Sequence, residues 1–247
     1  MKLDCIMTAC NTNYLYIDFI PIFVKAWNKL YPNIDVKIVL ISNKIPIEFE
    51  EYKDNIILFT PIPNISIAFI AQYIRLLYPT ILNYQNGIMI TDIDMIPMNS
   101  MYYIKNIENI SDNKFIYLRN VLLNYKQIAM CYNIGLNKIW SEIFNIKSIE
   151  DINKRLIDVY NNIQYVDEHG KFGWSTDQIY TMNWNKTTNN FISLPDDKTG
   201  FRRLNRNKFE MSNKYKNLIK QGYYTYYHCY RPYTTYKSIN DSIIELL

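Results

Sequence analysis

Asp92 and Asp94 are the two residues of this chain whose types and spacing are best suited to chemistry. They follow the apolar run Ile88–Ile90, which is typical of a buried strand, and Pro97 comes three residues after Asp94. Because side chains alternate along a strand, both carboxylates should emerge on one side, and Pro97 should end the strand since it cannot continue a central ladder. Two carboxylates at an exposed strand end suit a hard divalent cation with positions left open for phosphate oxygens. The alternative is a solvated acidic turn, because the triplet alone is a weak signal.

A third candidate ligand is His228, one of two histidines in the chain. A single histidine among tyrosines is more often a hydrogen-bonded core residue than a metal ligand. Beside two carboxylates, however, a neutral imidazole favours Mn²⁺ over Mg²⁺, which prefers an all-oxygen shell. The other histidine, His169, is expected in a loop at the solvated surface.

Three further residues have both a functional and a plain interpretation. The Arg75 guanidinium suits phosphate oxygens or Asp92, although it lies at a helix end where it could simply extend toward water. Asp177 could orient sugar hydroxyls or assist an acceptor, or it could only stabilise the start of a helix. Tyr14 could stack on a base or pack where a helix begins.

The elements that must position these residues alternate along the first hundred residues. The patterns predict strands over Leu3–Ala9, Asp35–Ser42, Asn55–Phe59 and Gly87–Thr91, and helices over Tyr16–Leu30 and Ile67–Tyr78. Such alternation indicates an α/β fold with a mostly parallel central sheet flanked by helices, and with a ligand site at the carboxyl ends of the strands. The second half is less regular. There we expect strands at Phe115–Leu118 and Ala129–Ile134, a helix at Ile149–Asn162, and a helical stretch after Trp174.

Composition narrows the class of protein. The chain has 247 residues, 49% of them hydrophobic and 20% charged, which fits one soluble globular domain. No apolar run approaches the length of a membrane span, and the amino terminus reads as a first strand and not as a signal peptide. Four scattered cysteines suggest free thiols in a reducing, cytoplasmic compartment. The net charge of +4 is mild, is not expected to be concentrated in a basic arm, and falls short of a nucleic-acid footprint. With only 6 glycines, no phosphate-cradling loop is available.

Taken in order, the motifs resemble those of family 8-type retaining glycosyltransferases, which are glycogenin-like. The chain is also similar to the short GT-A glycosyltransferases of large DNA viruses, for which a host cytoplasmic or virion location is expected. The motifs that carry the resemblance are Asn11-x-x-Tyr14, Arg75, Asp92-Ile93-Asp94, Asn133-Ile-Gly135, Asp177-Gln178, and His228 followed by Arg231-Pro232. The chain departs from the family pattern at the last motif, where only two residues separate His228 from Arg231.

The resemblance implies one GT-A domain over residues 1–247, with a nucleotide-binding half (1–100) and an acceptor half (101–247). It implies Mn²⁺ or Mg²⁺ as the cofactor, a UDP-sugar as the donor, a glycan or protein as the acceptor, and retention of anomeric configuration. Inversion with Asp177 as the base stays open. The implied metal ligands are Asp92, Asp94 and His228. The implied nucleotide-sugar contacts are Thr8, Ala9, Asn11, Tyr14, Arg75, Asp92, Ile93 and Arg231. The implied groups that hold the sugar and the acceptor are Asn133, Asp177 and Gln178.

Two other functions remain open at this point. A sugar-1-phosphate nucleotidyltransferase also uses an α/β fold and acidic metal ligands, but it should have a Gly-rich loop where this chain has Thr8–Asn11. A non-catalytic glycan-binding protein on the same fold should have lost one of the predicted metal ligands. No nucleic-acid partner and no transmembrane segment are expected.

Overall fold

A seven-stranded central sheet organises the computed structural model, which describes residues 1–185, 189–208 and 211–247. In chain order, its strands are β1 (Leu3–Asn11), β2 (Asp35–Ile41), β3 (Ile56–Phe59), β4 (Gly87–Ile90), β6 (Phe115–Tyr117), β7 (Asn133–Gly135) and β8 (Phe191–Ser193). The spatial order is β3-β2-β1-β4-β7-β6-β8. Strands β1 to β4 are all parallel, β7 is antiparallel to β4 and β6, and β8 is parallel to β6. The prediction of an α/β fold with a mostly parallel sheet is confirmed.

Helices cover both faces of this sheet. Helix α1 (Ile20–Leu30) lies in the core on one face and α2 (Ile67–Leu77) in the core on the other. The further helices of the described residues are α3 (Tyr102–Lys105), α4 (Asn137–Phe144), α5 (Ile149–Asn161), α6 (Thr176–Asn185), α7 (Asp196–Thr199), α8 (Asn213–Lys220) and α9 (Lys237–Glu245). Within the described residues, none is long and apolar enough to cross a membrane.

Strand β1 shows why both faces are covered. Its alternating side chains enter two different cores: Ile6 packs with Trp27 of α1, whereas Cys5 and Met7 pack with Tyr73 of α2. A strand that is buried on both faces reads as a continuous apolar run, which is the pattern that predicted it. All four cysteines are buried free thiols.

A second sheet of three short strands lies after the aspartates. Its order is β5 (Met95–Pro97), β10 (Tyr226–His228) and β9 (Arg203–Leu204), with β5 antiparallel and β9 parallel to β10. Strand β5 was not predicted.

The turn between β4 and β5 corrects one expectation. Strand β4 ends at Ile90, and the amide of Met95 donates to the carbonyl of Asp92 at 3.1 Å, so both aspartates sit in a turn and not on one strand. Pro97 does not end β4; it is the last residue of β5, at the edge of the small sheet, where a missing N–H is tolerated.

Other boundaries differ modestly from the predictions. The helix expected from Tyr16 begins with a short 3₁₀ turn (Ile17–Phe19) and becomes α-helical at Ile20. The strand expected over Ala129–Ile134 is confined to Asn133–Gly135, because β7 pairs only with the short strands β4 and β6.

Candidate active site

A cleft of about 820 Å³ opens at the carboxyl ends of β1 and β4. Ala9 and Asn11 line it from the end of β1, and Asp92, Ile93 and Asp94 line it from the β4–β5 turn. This is the edge of the sheet at which α/β folds place their ligands.

Asp94 lies at the buried side of the cleft, with a side chain only 6% exposed. Its Oδ2 atom is 3.0 Å from Nε2 of His228 and 3.2 Å from Nε of Arg231. Burial by itself would raise the pKa of Asp94, but the hydrogen bond with His228 and the nearby positive charges outweigh burial and lower that pKa. The carboxylate is therefore held in its charged form.

His228 reaches Asp94 because β10 pairs with β5, which places His228 opposite Met95. The other ring nitrogen, Nδ1, is 3.1 Å from Nη2 of Arg203. A guanidinium only donates hydrogen bonds, so Nδ1 accepts, and a neutral ring protonated on Nε2 satisfies both contacts. The side chain is 23% exposed and lines the cleft, so His228 is not simply a core residue.

Arg75 connects the other aspartate to the second half of the chain. From the last turn of α2, its guanidinium donates to Oδ1 of Asp92 and, at 3.0 Å, to Oδ2 of Asp177 at the start of α6. Its Nε also donates to the backbone carbonyl of Gln72 at 3.1 Å, which orients the guanidinium plane. One planar group thus fixes the spacing of two carboxylates on different elements.

Burial and the Arg75 cation act on the Asp177 carboxylate in opposite directions. Asp177 is buried, so desolvation raises its pKa; Arg75 opposes the rise, and the charge of Asp92 adds to it. Burial would lower the pKa of Arg75, but its two carboxylate partners raise it. The guanidinium is therefore firmly charged, whereas Asp177 is the carboxylate that holds its proton more tightly than usual.

The predicted three-ligand metal site is only partly assembled. Among the described residues, no group of three or more His, Cys, Asp or Glu side chains is arranged to hold a metal ion. Asp94 and His228 are adjacent, and their 3.0 Å separation matches two neighbouring ligands of an ion bound at about 2.1 Å. Asp92 faces the same cleft but is turned to Arg75. The donor types thus fit a divalent cation at Asp94 and His228, where a bound ion would take the place of the Nε2 proton of His228, with Asp92 engaged elsewhere.

Most of the other predicted site residues face the cleft. Those that line it are Ala9, Asn11, Arg75, Asp92, Ile93, Asp94, Asp177, Gln178, His228 and Arg231. The Oε1 atom of Gln178 is buried and has no hydrogen-bond partner among the described residues. An orphaned acceptor beside a cleft suits a ligand hydroxyl.

Three predicted contacts do not line the cleft. Thr8 and Asn133 are fully buried in β1 and β7, where the sheet and its helices cover both faces, and the Asn133 amide donates to Ala129 at 3.0 Å. Tyr14 is 61% exposed and is not among the residues that line the cleft. The expected nucleotide-sugar contacts of Thr8 and Tyr14, and the expected sugar or acceptor contact of Asn133, stay predictions.

Tyr16 was missed by the sequence analysis. Its hydroxyl accepts from Nη1 of Arg231 at 3.0 Å, and its ring lies 5.4 Å from that guanidinium. Tyr16 therefore lines the cleft where Tyr14 was expected, and nothing in the local sequence distinguishes the two tyrosines.

Arg206 and a loop before α6 also line the cleft without having been predicted. Arg206 comes from the Lys- and Asn-rich segment and donates to the carbonyl of Cys229. The loop contributes Asp167, Glu168 and His169 beside Trp174, with the two rings 5.3 Å apart. His169 is exposed as expected, but it stands at the rim of the cleft.

Two solved structures with a similar fold are both glycosyltransferases. The crystal structure of galactosyltransferase LgtC in complex with donor and acceptor sugar analogues matches 98% of this chain and 94% of that chain, at 13% identity and a TM-score of 0.52. The apo form of the glycosyltransferase GlyE of Streptococcus pneumoniae TIGR4 matches 79% of this chain at 18% identity and a TM-score of 0.50, and 46% of the GlyE chain is covered. No family model and no curated protein matches the sequence. The chain therefore shares its fold with these two glycosyltransferases.

Proposed function

We propose that this protein is a metal-dependent glycosyltransferase that moves a sugar from a nucleoside-diphosphate donor, UDP-sugar by the family resemblance, to a glycan or protein acceptor. The observation that carries the proposal is the Arg75 bridge between Asp92 and Asp177, placed in one cleft with Asp94, His228 and Arg231. This bridge joins Asp92, just after β4, to Asp177, which is expected to help hold the sugar. The GT-A-like fold supports the same conclusion.

The leaving diphosphate lies against the charged wall of the cleft. Arg231 and Arg206 line this wall, and fixed cations there stabilise the charge that builds on the phosphate oxygens. Asp94 and His228 would hold Mn²⁺ or Mg²⁺, which when bound adds Lewis-acid stabilisation to the leaving group. Tyr16 holds the Arg231 guanidinium in place.

The sugar lies against Asp177 and Gln178. Arg75 and the backbone N–H of Gln178, which donates to Oδ1 of Asp177 at 2.8 Å, hold the Asp177 carboxylate in place. The carboxylate that orients the sugar therefore has a fixed orientation of its own. The bond from the anomeric carbon to the phosphate oxygen breaks with its electron pair going to the diphosphate, and a bond forms to the acceptor oxygen. The acceptor proton passes to the departing diphosphate. Retention of configuration follows the family resemblance.

The proposal is tested by hydrolysis of a panel of nucleotide sugars with Mn²⁺ present. Release of the nucleoside diphosphate and free sugar from one donor is expected, and Asp177→Asn should abolish it while UDP still binds. Asp158→Asn, an exposed aspartate outside the cleft, is the matched control and should behave as wild type.

Different outcomes would point to the other two functions. Formation of pyrophosphate from UTP and a sugar-1-phosphate would indicate a nucleotidyltransferase. Binding of glycans without UDP binding or donor hydrolysis would indicate a non-catalytic glycan-binding protein.

A further inference from the structure

Positive charge is concentrated in one segment of this chain. Residues 198–220 hold eight of the 27 Lys and Arg residues and one of the 23 Asp and Glu residues. The rest of the chain carries more acidic than basic side chains. The expectation that the positive charge is not concentrated is therefore wrong for this segment.

The fold lays much of this segment along one surface. Strands β9 and β10 are parallel and adjacent, so the connection that contains α8 must run from the cleft end of β9 back to the opposite end of β10. Exposed residues in and just after α8 are Asn213, Lys214, Asn217, Lys220, Gln221 and Tyr223. This set holds two lysines and three amides, and α8 has no acidic residue.

This surface begins inside the candidate active site. Arg203 is exposed and contacts His228, and Arg206 lines the cleft. We call the set Arg202, Arg203, Arg206, Lys214 and Lys220 the basic strip. Arg202 lies toward the far end, with its guanidinium 4.2 Å from the ring of Tyr223 just after α8.

We propose that the basic strip binds an acidic acceptor glycan, one whose sugars carry carboxylate or phosphate groups; this rests on the proposed glycosyltransferase function. The strip leads out of the cleft, so a chain whose end lies beside His228 would continue over β9 and α8. Lysines pair with the anionic groups, and the interspersed Asn213, Asn217 and Gln221 amides both donate to and accept from sugar hydroxyls.

The charge of the opposite wall of the cleft also favours an acidic chain that leaves the cleft along the basic strip. Asp167 and Glu168 line the cleft from the loop before α6. Helix α6 packs with α2, which lies in the core on one face of the central sheet, whereas Leu204 of β9 and Ile219 of α8 belong to the core on the other face. Lys171 pairs with Glu168 at 3.7 Å, which leaves one net negative charge on this loop, so an anionic chain is weakly repelled there and attracted by the strip. A membrane surface is disfavoured, because the exposed residues of α8 are polar and the exposed ring of Tyr223 just after it lies against the Arg202 guanidinium.

The test uses the full-length protein and an oligogalacturonide, with a neutral maltooligosaccharide of equal length for comparison. Binding of the acidic oligosaccharide should weaken steadily as salt is raised, since exposed charges are screened. The double variant Lys214→Glu/Lys220→Glu should lose about tenfold in affinity, because two attractions become repulsions of modest size each. The matched double variant Lys147→Glu/Lys154→Glu changes the net charge equally at exposed sites away from the strip, and it should lose less than about twofold.

Three results would overturn the proposal: equal losses in both double variants, equal binding of the neutral oligosaccharide, or tighter binding of single-stranded DNA or of anionic phospholipid vesicles. Thermal melting of each variant at the wild-type temperature ensures that a loss is not a folding defect. Donor hydrolysis by the wild type separates the two proposals. If hydrolysis occurs without oligogalacturonide binding, only the acidic acceptor is wrong; if hydrolysis is absent, the proposed function fails whatever the strip binds.

Discussion

Asp94 and His228 lie 134 positions apart in the chain and meet through a 3.0 Å contact between Oδ2 and Nε2. The pairing of β5 with β10 makes this contact, so the small sheet, and not the central one, completes the cleft. Arg231, three residues after His228, reaches the same carboxylate oxygen. One buried carboxylate thus anchors the carboxyl-terminal part of the chain to the turn after β4.

The coupling of this pair should be measurable without any metal. We expect Asp94→Asn and His228→Ala each to destabilise the metal-free protein by about 1–3 kcal/mol, because the first replaces the charged acceptor of His228 and Arg231 by a neutral amide and the second removes a partner of the buried Asp94 carboxylate. The double variant should lose less than the two losses added together, by about 0.5–3 kcal/mol. Urea unfolding of the four proteins in a chelator measures this. Additive losses would mean that the contact contributes nothing to stability.

Metal removal should weaken nucleotide binding. Calorimetry of UDP binding is expected to show tighter binding with Mn²⁺ than after exhaustive chelation, because the ion offsets repulsion between diphosphate and cleft carboxylates. His228→Ala should lose most of this Mn²⁺ effect, about tenfold or more in affinity. His169→Ala is the matched control, since His169 is the other histidine, and it should retain the effect. Equal UDP affinity with and without Mn²⁺ in the wild type would remove the metal from the proposal.

Replacement of Arg75 by lysine should impair activity more than binding. Lysine keeps the charge but cannot donate in a planar fork to Asp92 and Asp177 together, so both carboxylates would shift. A loss of about 100-fold in kcat for donor hydrolysis is expected from such misplacement. Arg155→Lys, whose arginine contacts the Tyr180 hydroxyl outside the cleft at 3.1 Å, should be close to wild type. Similar rates for both variants would show that the bridge does not orient the site.

The raised pKa of Asp177 predicts a specific dependence of stability on pH. Its proton is bound more tightly in the folded state, so the contribution of Asp177 to stability is fully present below the ordinary aspartate value of about 3.9 and is lost as pH rises through the folded-state pKa. Asp177→Asn cannot titrate. Relative to that variant, the wild type should become less stable as the pH increases from about 4 toward neutrality.

Urea unfolding of both proteins at a series of pH values checks this. Asp158→Asn, which removes an exposed carboxylate, should run parallel to the wild type over the same range. A wild type that gains stability relative to Asp177→Asn as pH rises would show that Arg75 outweighs the burial of the carboxylate.

The sequence by itself determined six of the seven strands of the central sheet and the edge at which the cleft lies. Strands such as β1 and β4 are apolar runs buried on both faces, and α2 shows the helical period, so each element is specified by residues that are neighbours in the chain. Asp92 and Asp94 directly follow such a strand, and the carboxyl ends of parallel strands share one edge. That is why the cleft lies where the sequence predicted it.

Only the tertiary structure decided which side chains meet there. Strand β5 has three residues and little pattern of its own, and it exists because β10 supplies its hydrogen-bond partners from more than a hundred residues away. The same long-range pairing brings Arg231 to Asp94, and the packing of α6 on α2 brings Asp177 to Arg75. Tyr16, and not Tyr14, lines the cleft because its hydroxyl accepts a hydrogen bond from Arg231, and that contact exists only once the fold has brought Tyr16 and Arg231 together.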